Sequence, residues 1–279
     1  MSILLHGDCL ELMKDIENES VDFIFCDLPY GVLSCKWDCP IDLELFWKEI
    51  MRIKKLNTPI FMTTTTKFGV SLIQSAPKKC PFRWDLVWVK SAPSGFLSAR
   101  KMPMRKHEMV YAFYEKLPFY DLSSHKHKFV KDNRKKIDTD NIYGTPIHPD
   151  GKSGSYDPPL PVSVVKEERT PSYYMKDGKT IYNGGKAMPI FNKGGTAYDP
   201  PLPTSMLEIK STRGKHSTEK PVALMEYLLK YFSKEGDVVL DPTMGSGSTG
   251  VACKNMNRNF IGMEMDPEIY EVAVNRIDF

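Results

Sequence analysis

The sequence is short of the features that mark membrane-spanning, secreted and zinc-binding proteins. No apolar run among its 279 residues reaches the ~18–20 residues that a bilayer requires. Residues 1–8 have no basic cluster and turn polar early, so we predict no signal peptide. The six cysteines form no CxxC pair, and Cys35 and Cys39 have no His-x-x-x-His nearby. We therefore expect free thiols in the cytoplasm of a prokaryotic cell or a viral host, with no metal site.

The composition indicates a globular protein whose charge is unevenly distributed. Apolar residues make up 41% and charged residues 26%, and the chain is long enough for one large α/β domain or a core with an insertion. The net charge is +3, but residues 78–136 hold 15 Lys and Arg against 5 Asp and Glu, whereas residues 237–279 hold 3 against 7.

Basic residues interleaved with aromatic ones are typical of surfaces that hold phosphates and stack bases, although such a run is as often only a solvated face. The candidate nucleic-acid-binding residues are Lys126, Lys128, Lys131, Arg134, Lys135 and Lys136.

Short apolar runs alternate with amphipathic stretches along most of the chain. We predict strands at 3–6, 21–26, 59–64, 84–89, 108–114, 238–240 and 260–263, and helices at 9–16, 42–54, 221–232, through Cys253 and from Pro267. This alternation predicts an α/β fold, with a mostly parallel sheet that helices cover on both faces. Between Gly144 and Met206 lie 10 of the 21 prolines and 8 of the 18 glycines, so we expect this stretch to lie outside the sheet core.

The tetrapeptide Asp27-Leu28-Pro29-Tyr30 directly follows the apolar run 21–26. The carboxylate can accept hydrogen bonds, the proline-constrained backbone can aim a carbonyl, and the ring offers a face for stacking. This set suits a flat substrate with an exocyclic amine, such as a nucleobase. Taken alone, the same residues are also typical of a turn after a strand.

A second motif spans residues 238–250, where a strand, a glycine turn and a helix start follow one another. Gly245 and Gly247 let the backbone approach a ligand and supply amides at a helix N-terminus. Glu264, 23 residues after Asp241, can accept hydrogen bonds from the ribose hydroxyls of an adenosine cofactor. The glycine spacing also matches the NAD fingerprint. However, a carboxylate directly after the strand favours a cationic amino-acid group, so S-adenosylmethionine fits better than a pyrophosphate cofactor. A glycine turn with no ligand stays a third interpretation.

With both motifs present, the chain resembles the DNA amino-methyltransferases, which use S-adenosylmethionine to methylate adenine N6 or cytosine N4. Similar segments lie at 5–31, 84–90, 105–110, 216–221 and 236–272. The catalytic motif precedes the cofactor motif, as in the permuted group often called the beta class. The resemblance implies a Rossmann-like fold with a catalytic half at 1–115, an inserted target-recognition region at 116–214, and a cofactor-binding half at 215–279.

The resemblance also implies how the first motif works. Asp27 and the Leu28 carbonyl, which precedes Pro29, would accept the two hydrogens of the target base's amine. Tyr30 would stack on that base after it has flipped out of the duplex. Leu28 replaces the first of the family's usual two prolines, which changes the stiffness of the loop but not its chemistry. An acid in the first position resembles the adenine enzymes, whereas Ser is usual for cytosine N4 and Asn for relatives that methylate a protein glutamine.

The resemblance further implies a cofactor site for S-adenosylmethionine. Its candidate residues are Asp8, Cys9, Lys220, Asp241, Pro242, Thr243, Gly245, Ser246, Gly247 and Glu264. Two of these have simpler interpretations, since Asp8 could only cap a helix and Lys220 could be a surface lysine.

The expected partner is double-stranded DNA, with a homodimer and a cognate restriction nuclease as further hypotheses. The alternatives are a cytosine N4 methyltransferase, an NAD-dependent oxidoreductase and a DNA-binding protein without catalysis.

Overall fold

A computed structural model describes residues 1–30, 40–95, 98–121, 123–124 and 219–277, together with the backbone of five short strands between residues 126 and 180. The elements are β1 (Ser2–His6), α1 (Cys9–Leu12) with a 3₁₀ turn (Met13–Asp15), β2 (Phe23–Cys26), α2 (Leu43–Ile53), β3 (Ile60–Thr64), α3 (Thr66–Ser75), β4 (Phe82–Ser94), β5 (Arg105–Phe113), β6 (Lys126–Lys131), β7 (Lys152–Asp157), β8 (Val164–Val165), β9 (Met175–Lys176), β10 (Lys179–Thr180), α4 (Val222–Phe232), β11 (Val238–Asp241), α5 (Ser248–Asn255), β12 (Asn259–Glu264) and α6 (Pro267–Ile277).

Eight strands form one sheet in the order β1-β12-β11-β2-β3-β5-β4-β8. The first five run parallel, while β5 is antiparallel to both β3 and β4. Strand β2, at the centre, is buried along its whole length, as expected for a parallel strand with both faces covered. The structure therefore confirms the predicted Rossmann-like sheet.

Helices pack against both faces of this sheet and enclose two apolar cores. Because successive side chains of a strand point to opposite faces, β2 supplies both cores. Phe23 and Phe25 lie in the core under α4, α5 and α6, whereas Ile24 and Cys26 lie in the core that α2 contributes to on the other face. The N-terminal strand β1 pairs with β12, so the two predicted halves of the chain interlock in a single sheet.

Helix α3 is absent from the sequence-based prediction. Thr65 caps this helix by accepting a hydrogen bond from the Phe68 amide at 3.4 Å. Gly69 lets the ring of Tyr111 approach, because a Cβ at that position would lie 2.5 Å from it. Tertiary packing thus overrides the weak helix propensity of this segment.

The proline- and glycine-rich stretch was expected to lie outside the sheet core, and two of its residues form a strand at the edge of the sheet. Val164 and Val165 form β8, which pairs with Val87 and Trp88 of β4 in parallel orientation. An edge position suits a short strand, since it needs a partner on one side only. The described part of the chain contains no helix long and apolar enough to cross a membrane.

The predicted DNA-contacting residues fall in the least described part of the chain. Lys126, Lys128 and Lys131 lie on β6, which pairs antiparallel with β7 in a separate two-stranded sheet; their side chains are outside the described set. Arg134, Lys135 and Lys136 lie outside the described residues altogether. Their role in DNA binding stays a prediction.

Candidate active site

The two sequence motifs meet where neighbouring strands of the sheet diverge. The chain leaves β11 towards β12 on one side and leaves β2 towards β3 on the other. The crevice outside the carboxyl ends of such strands is where open α/β sheets bind ligands. Asp27 follows β2 and Asp241 ends β11. The Asp27 amide donates to Thr243 Oγ1 at 3.2 Å, so the two motifs are joined directly.

The carboxylate of Asp27 is held from three directions. Its Oδ1 accepts hydrogen bonds from the Tyr30 hydroxyl at 3.0 Å and from Thr63 Oγ1. Its Oδ2 accepts one from the ammonium of Lys220. The side chain nevertheless keeps 26% of its surface exposed. Asp27 is therefore both fixed in orientation and within reach of a ligand.

The neighbours of Asp27 are anchored in the protein. Leu28 is 2% exposed and packs in the core on the α2 side of the sheet, so its side chain has a structural role that the sequence did not suggest. The ring of Tyr30 lies 5.4 Å from that of Phe68 on α3. Burial and the nearby Asp27 carboxylate raise the pKa of Tyr30, and its hydroxyl stays a hydrogen-bond donor.

Asp241, in contrast, is almost fully buried. It is 2% exposed, and it accepts hydrogen bonds from the Thr243 amide at 3.1 Å and from Thr249 Oγ1 at 2.6 Å. Burial raises the pKa of Asp241 to about 7, although these two hydrogen bonds oppose the shift. This carboxyl thus lies close to its titration point at neutral pH.

The turn after Asp241 depends on two glycines. Gly245 (φ 52°) and Gly247 (φ 83°) adopt left-handed backbone conformations, which side chains disfavour. Gly250 serves packing instead, because a Cβ there would lie 2.3 Å from Ile277 Cδ1. Gly245 and Gly247 therefore shape the turn, and Gly250 lets α5 approach α6.

Glu264 and Arg276 fix the position of this turn. Glu264 accepts hydrogen bonds from the amides of Gly245 at 3.0 Å and Asp266 at 2.9 Å. Because each carboxylate oxygen accepts more than one hydrogen bond, Glu264 retains acceptor capacity towards a ligand. Arg276 donates to Ser246 Oγ at 2.7 Å and pairs with Glu219 at 2.8 Å.

Asp8 and Cys9 lie beside this turn at the end of β1. The Gly7 amide donates to the Glu264 carbonyl at 3.0 Å, which brings the start of α1 next to the end of β12. The Asp8 side chain caps α1 by accepting from the Leu10 amide at 2.8 Å. Burial, followed by the nearby Asp8 carboxylate, raises the pKa of Cys9 to about 12, so its thiol is a neutral group at the rim of the core.

Several residues of the site were not singled out by sequence. Thr63 and Thr249 bind the two aspartates, and Glu108 lies 3.8 Å from the Lys220 ammonium through its Oε2. Lys90 pairs with the other oxygen of Glu108. The available signal was polarity next to apolar runs, because Thr63 is the first polar residue of the buried strand β3 and Glu108 directly precedes the apolar part of β5.

Asp27, Lys220, Asp241, Thr243 and Gly245 line one common pocket. Ser248, at the start of α5, also lines it. Its buried Oγ has no hydrogen-bond partner among the residues that the structure describes. An unpaired buried hydroxyl is costly unless a ligand satisfies it, so the pocket is chemically prepared for a polar ligand.

A protein-family model described as DNA methylase matches residues 21–275 of the chain. The type II methyltransferase M.HinfI of Haemophilus influenzae is 26% identical over 306 aligned residues, which cover 99% of this chain and 68% of that protein. The DNA adenine methyltransferase YhdJ of Escherichia coli K12 is 27% identical over 285 residues, covering 99% of this chain and 82% of that protein.

Two solved structures share the fold. One is the M1.HpyAVI–SAM complex, with a TM-score of 0.57, 21% identity and coverage of 99% of this chain and 100% of that one. The other is the cytosine-N4-specific PvuII DNA methyltransferase, with a TM-score of 0.61, 13% identity and coverage of 99% and 86%. At these identities the likeness concerns the architecture of the sheet and its helices.

Proposed function

The chain belongs to the DNA methylase family, and within that family we propose that it transfers a methyl group from S-adenosylmethionine to the N6 amine of adenine in duplex DNA. The observation that carries this proposal is the position of Asp27. Its partly exposed carboxylate faces the same pocket as the glycine turn and Asp241. An amine-binding acceptor and a cofactor site therefore share one crevice.

The pocket and the residues next to it suit S-adenosylmethionine. Asp241 offers a carboxyl to a cationic amino-acid group, and Glu264 has acceptor capacity for ribose hydroxyls. The turn at Gly245 and Gly247 permits close approach of a ligand to the backbone. The unpaired hydroxyl of Ser248 adds a donor at the N-terminus of α5. When bound, the cofactor supplies an electrophilic methyl group on its sulfonium.

The amine of adenine is a poor nucleophile because its lone pair is delocalised into the ring. Asp27 and the Leu28 carbonyl would accept its two hydrogens and favour a tetrahedral nitrogen whose lone pair is available. Thr63 and Tyr30 hold Asp27 Oδ1, which leaves Oδ2 as the oxygen that can exchange its partner for the amine. The N6 proton released after methyl transfer would leave through the same carboxylate.

An acid at position 27 favours adenine over cytosine, since the resemblance associates Ser with cytosine N4 enzymes. The similarity to an adenine methyltransferase of E. coli over 99% of the chain supports the same choice. The target must leave the duplex to reach Asp27, which costs a few kcal/mol. The basic residues from Lys126 to Lys136 would bind the backbone phosphates of that DNA.

A cytosine N4 methyltransferase is the second candidate. The structural similarity to a cytosine-N4-specific enzyme at a TM-score of 0.61 favours it, because both amines could be bound by the same two acceptors. The two candidates differ only in the base that fits beside Asp27.

Sequencing with detection of modified bases tests this proposal. DNA from cells that express the chain should carry N6-methyladenine in one short sequence context, and DNA from cells expressing Asp27→Ala should carry far less. N4-methylcytosine in place of N6-methyladenine would select the second candidate. Calorimetric titration of the purified protein with S-adenosylmethionine and with NAD separates both from an oxidoreductase.

A further inference from the structure

The site contains a line of alternating charges that the methyl-transfer chemistry does not require. Lys90 pairs with Glu108 Oε1, Lys220 lies between Glu108 and Asp27, and Asp27 ends the line. The four side chains are between 12% and 26% exposed. Charges this deep are held only when each has a partner, so the arrangement of partners is informative.

Lys220 has two carboxylates within reach but is hydrogen-bonded to one. Its ammonium donates to Asp27 Oδ2, while Glu108 Oε2 is 3.8 Å away. That Oε2 is buried and accepts no hydrogen bond from any described residue. A charge-assisted hydrogen bond spans about 2.8 Å, so a shift of about 1 Å would give the ammonium a full second partner.

Building on the proposed function, we propose that Lys220 is a latch that occupies Asp27 Oδ2 until the amine of a target base displaces it onto Glu108 Oε2. In the latched form, Asp27 already has three hydrogen-bond donors: Tyr30, Thr63 and Lys220. An amine that approaches Oδ2 therefore competes with the Lys220 ammonium for that oxygen. Of the three donors, Lys220 has a second acceptor within reach, Glu108 Oε2, so it is the donor that moves.

Displacement of Lys220 requires an amine at the target position. A base that has no N–H to offer Asp27 cannot compensate for the loss of the Lys220 hydrogen bond, and Lys220 stays in place. Burial would lower the pKa of Lys220, but Asp27 and Glu108 together raise it above its ordinary value. The ammonium thus stays charged in both positions, and Lys220 acts as a positioning residue.

The test compares two DNA duplexes that carry the recognition sequence found by methylation sequencing. One has adenine at the target position and the other has purine, which lacks the amine. Binding is measured by fluorescence anisotropy without cofactor, so the readout does not depend on turnover. Because a hydrogen bond to a charged group contributes about 1.5–3 kcal/mol, we expect the wild-type protein to prefer adenine by roughly tenfold or more.

Glu108→Gln removes the charge that receives Lys220 and should reduce the adenine preference to about twofold or less. Lys220→Met in the Glu108→Gln background removes the latch as well and should restore the adenine preference. Such a non-additive result would not follow if Glu108 had a purely structural role. Lys220→Met alone should keep or increase the preference. Lys90→Met is the matched control, because it removes the other partner of Glu108 and should leave the preference intact.

Three results would overturn the latch while leaving the proposed function standing. They are an unchanged preference in Glu108→Gln, a double variant no better than Glu108→Gln, or a Lys90→Met protein as defective as Glu108→Gln. If Glu108→Gln does not fold, a lower adenine preference in Lys220→Met alone overturns it. By contrast, a wild-type protein that leaves adenine unmethylated and binds both duplexes equally would refute the proposed function itself.

Discussion

Two aspartates stand at the ends of neighbouring strands, and their surroundings are opposite. Asp27 is partly exposed and is bound by a lysine, whereas Asp241 is 2% exposed and is bound by a threonine hydroxyl and an amide. The described donors to Asp241 are neutral, so burial dominates and raises its pKa to about 7. One strand end thus pairs its carboxylate with a cation, whereas the other buries a carboxyl that titrates near neutral pH.

Removing Asp27 should have the largest effect, and it should impair methyl transfer without impairing cofactor binding. Asp27→Ala should lower the single-turnover rate of methyl transfer by about 10²–10⁴-fold, the usual contribution of a positioned acid or base. Its affinity for S-adenosylmethionine, measured by calorimetry, should change by no more than about threefold. Turnover near the wild-type rate would remove Asp27 from the mechanism.

Gly247→Ala, in the turn after Asp241, should have the next largest effect, which is a loss of stability. A side chain at its φ of 83° costs about 1–2 kcal/mol of conformational free energy. The added Cβ would lie 2.9 Å from Ile277 Cδ1, and this overpacking costs about 1–3 kcal/mol more. Urea denaturation should therefore show a loss of about 2–5 kcal/mol.

Gly236 is the matched control for this loss. It has a φ of 82°, and nothing lies within 4 Å of an added Cβ. Gly236→Ala should consequently cost only the conformational share, about 1–2 kcal/mol. Equal losses at both positions would show that Ile277 moves aside and that α6 does not constrain the turn.

The titration of Asp241 should produce the smallest effect. With a pKa of about 7, this carboxyl is ionised above neutral pH and becomes protonated below it. The attraction for a cationic cofactor is lost on protonation, so affinity for S-adenosylmethionine should fall as the pH drops below 7, by up to about tenfold per pH unit. Calorimetry from pH 8 to pH 5.5 measures this slope, and Asp241→Asn should flatten it. A slope that persists in Asp241→Asn would assign it to another group.

Sequence predicted the elements whose signals are local. Strand β2 is a continuous apolar run. Helix α2 is capped by Asp42, whose side chain accepts hydrogen bonds from the amides of Glu44 and Leu45. Helix α3 could not be found in this way, because Gly69 lowers the helix propensity of the segment. The glycine is needed to make room for the ring of Tyr111, which lies on a distant strand. The edge strand at Val164 and Val165 was missed for the same reason, since two residues carry no periodicity.

The same division holds for the site. The motifs at Asp27 and Asp241 could be recognised from their position after apolar runs. The partners around Asp27 could not, because Thr63 contacts Asp27 and Glu108 approaches Lys220 from strands that are distant in sequence. Lys220 illustrates this. The sequence suggested a cofactor residue but not its contact with Asp27, and the structure places its ammonium on Asp27 in the pocket shared with Asp241.

The pairing of β1 with β12 bears on the history of the fold. The main-chain amine of Met1 donates to Asn259 at 2.9 Å, and the hydroxyl of Tyr270 on α6 donates to the Leu4 carbonyl at 3.2 Å. Strand β1 and helix α6 are thus spatial neighbours. A gene rearrangement that joined them and opened the chain elsewhere would reverse the order of the two motifs and keep the strand neighbours described above. Evolution can therefore reorder such a chain without redesigning its pocket.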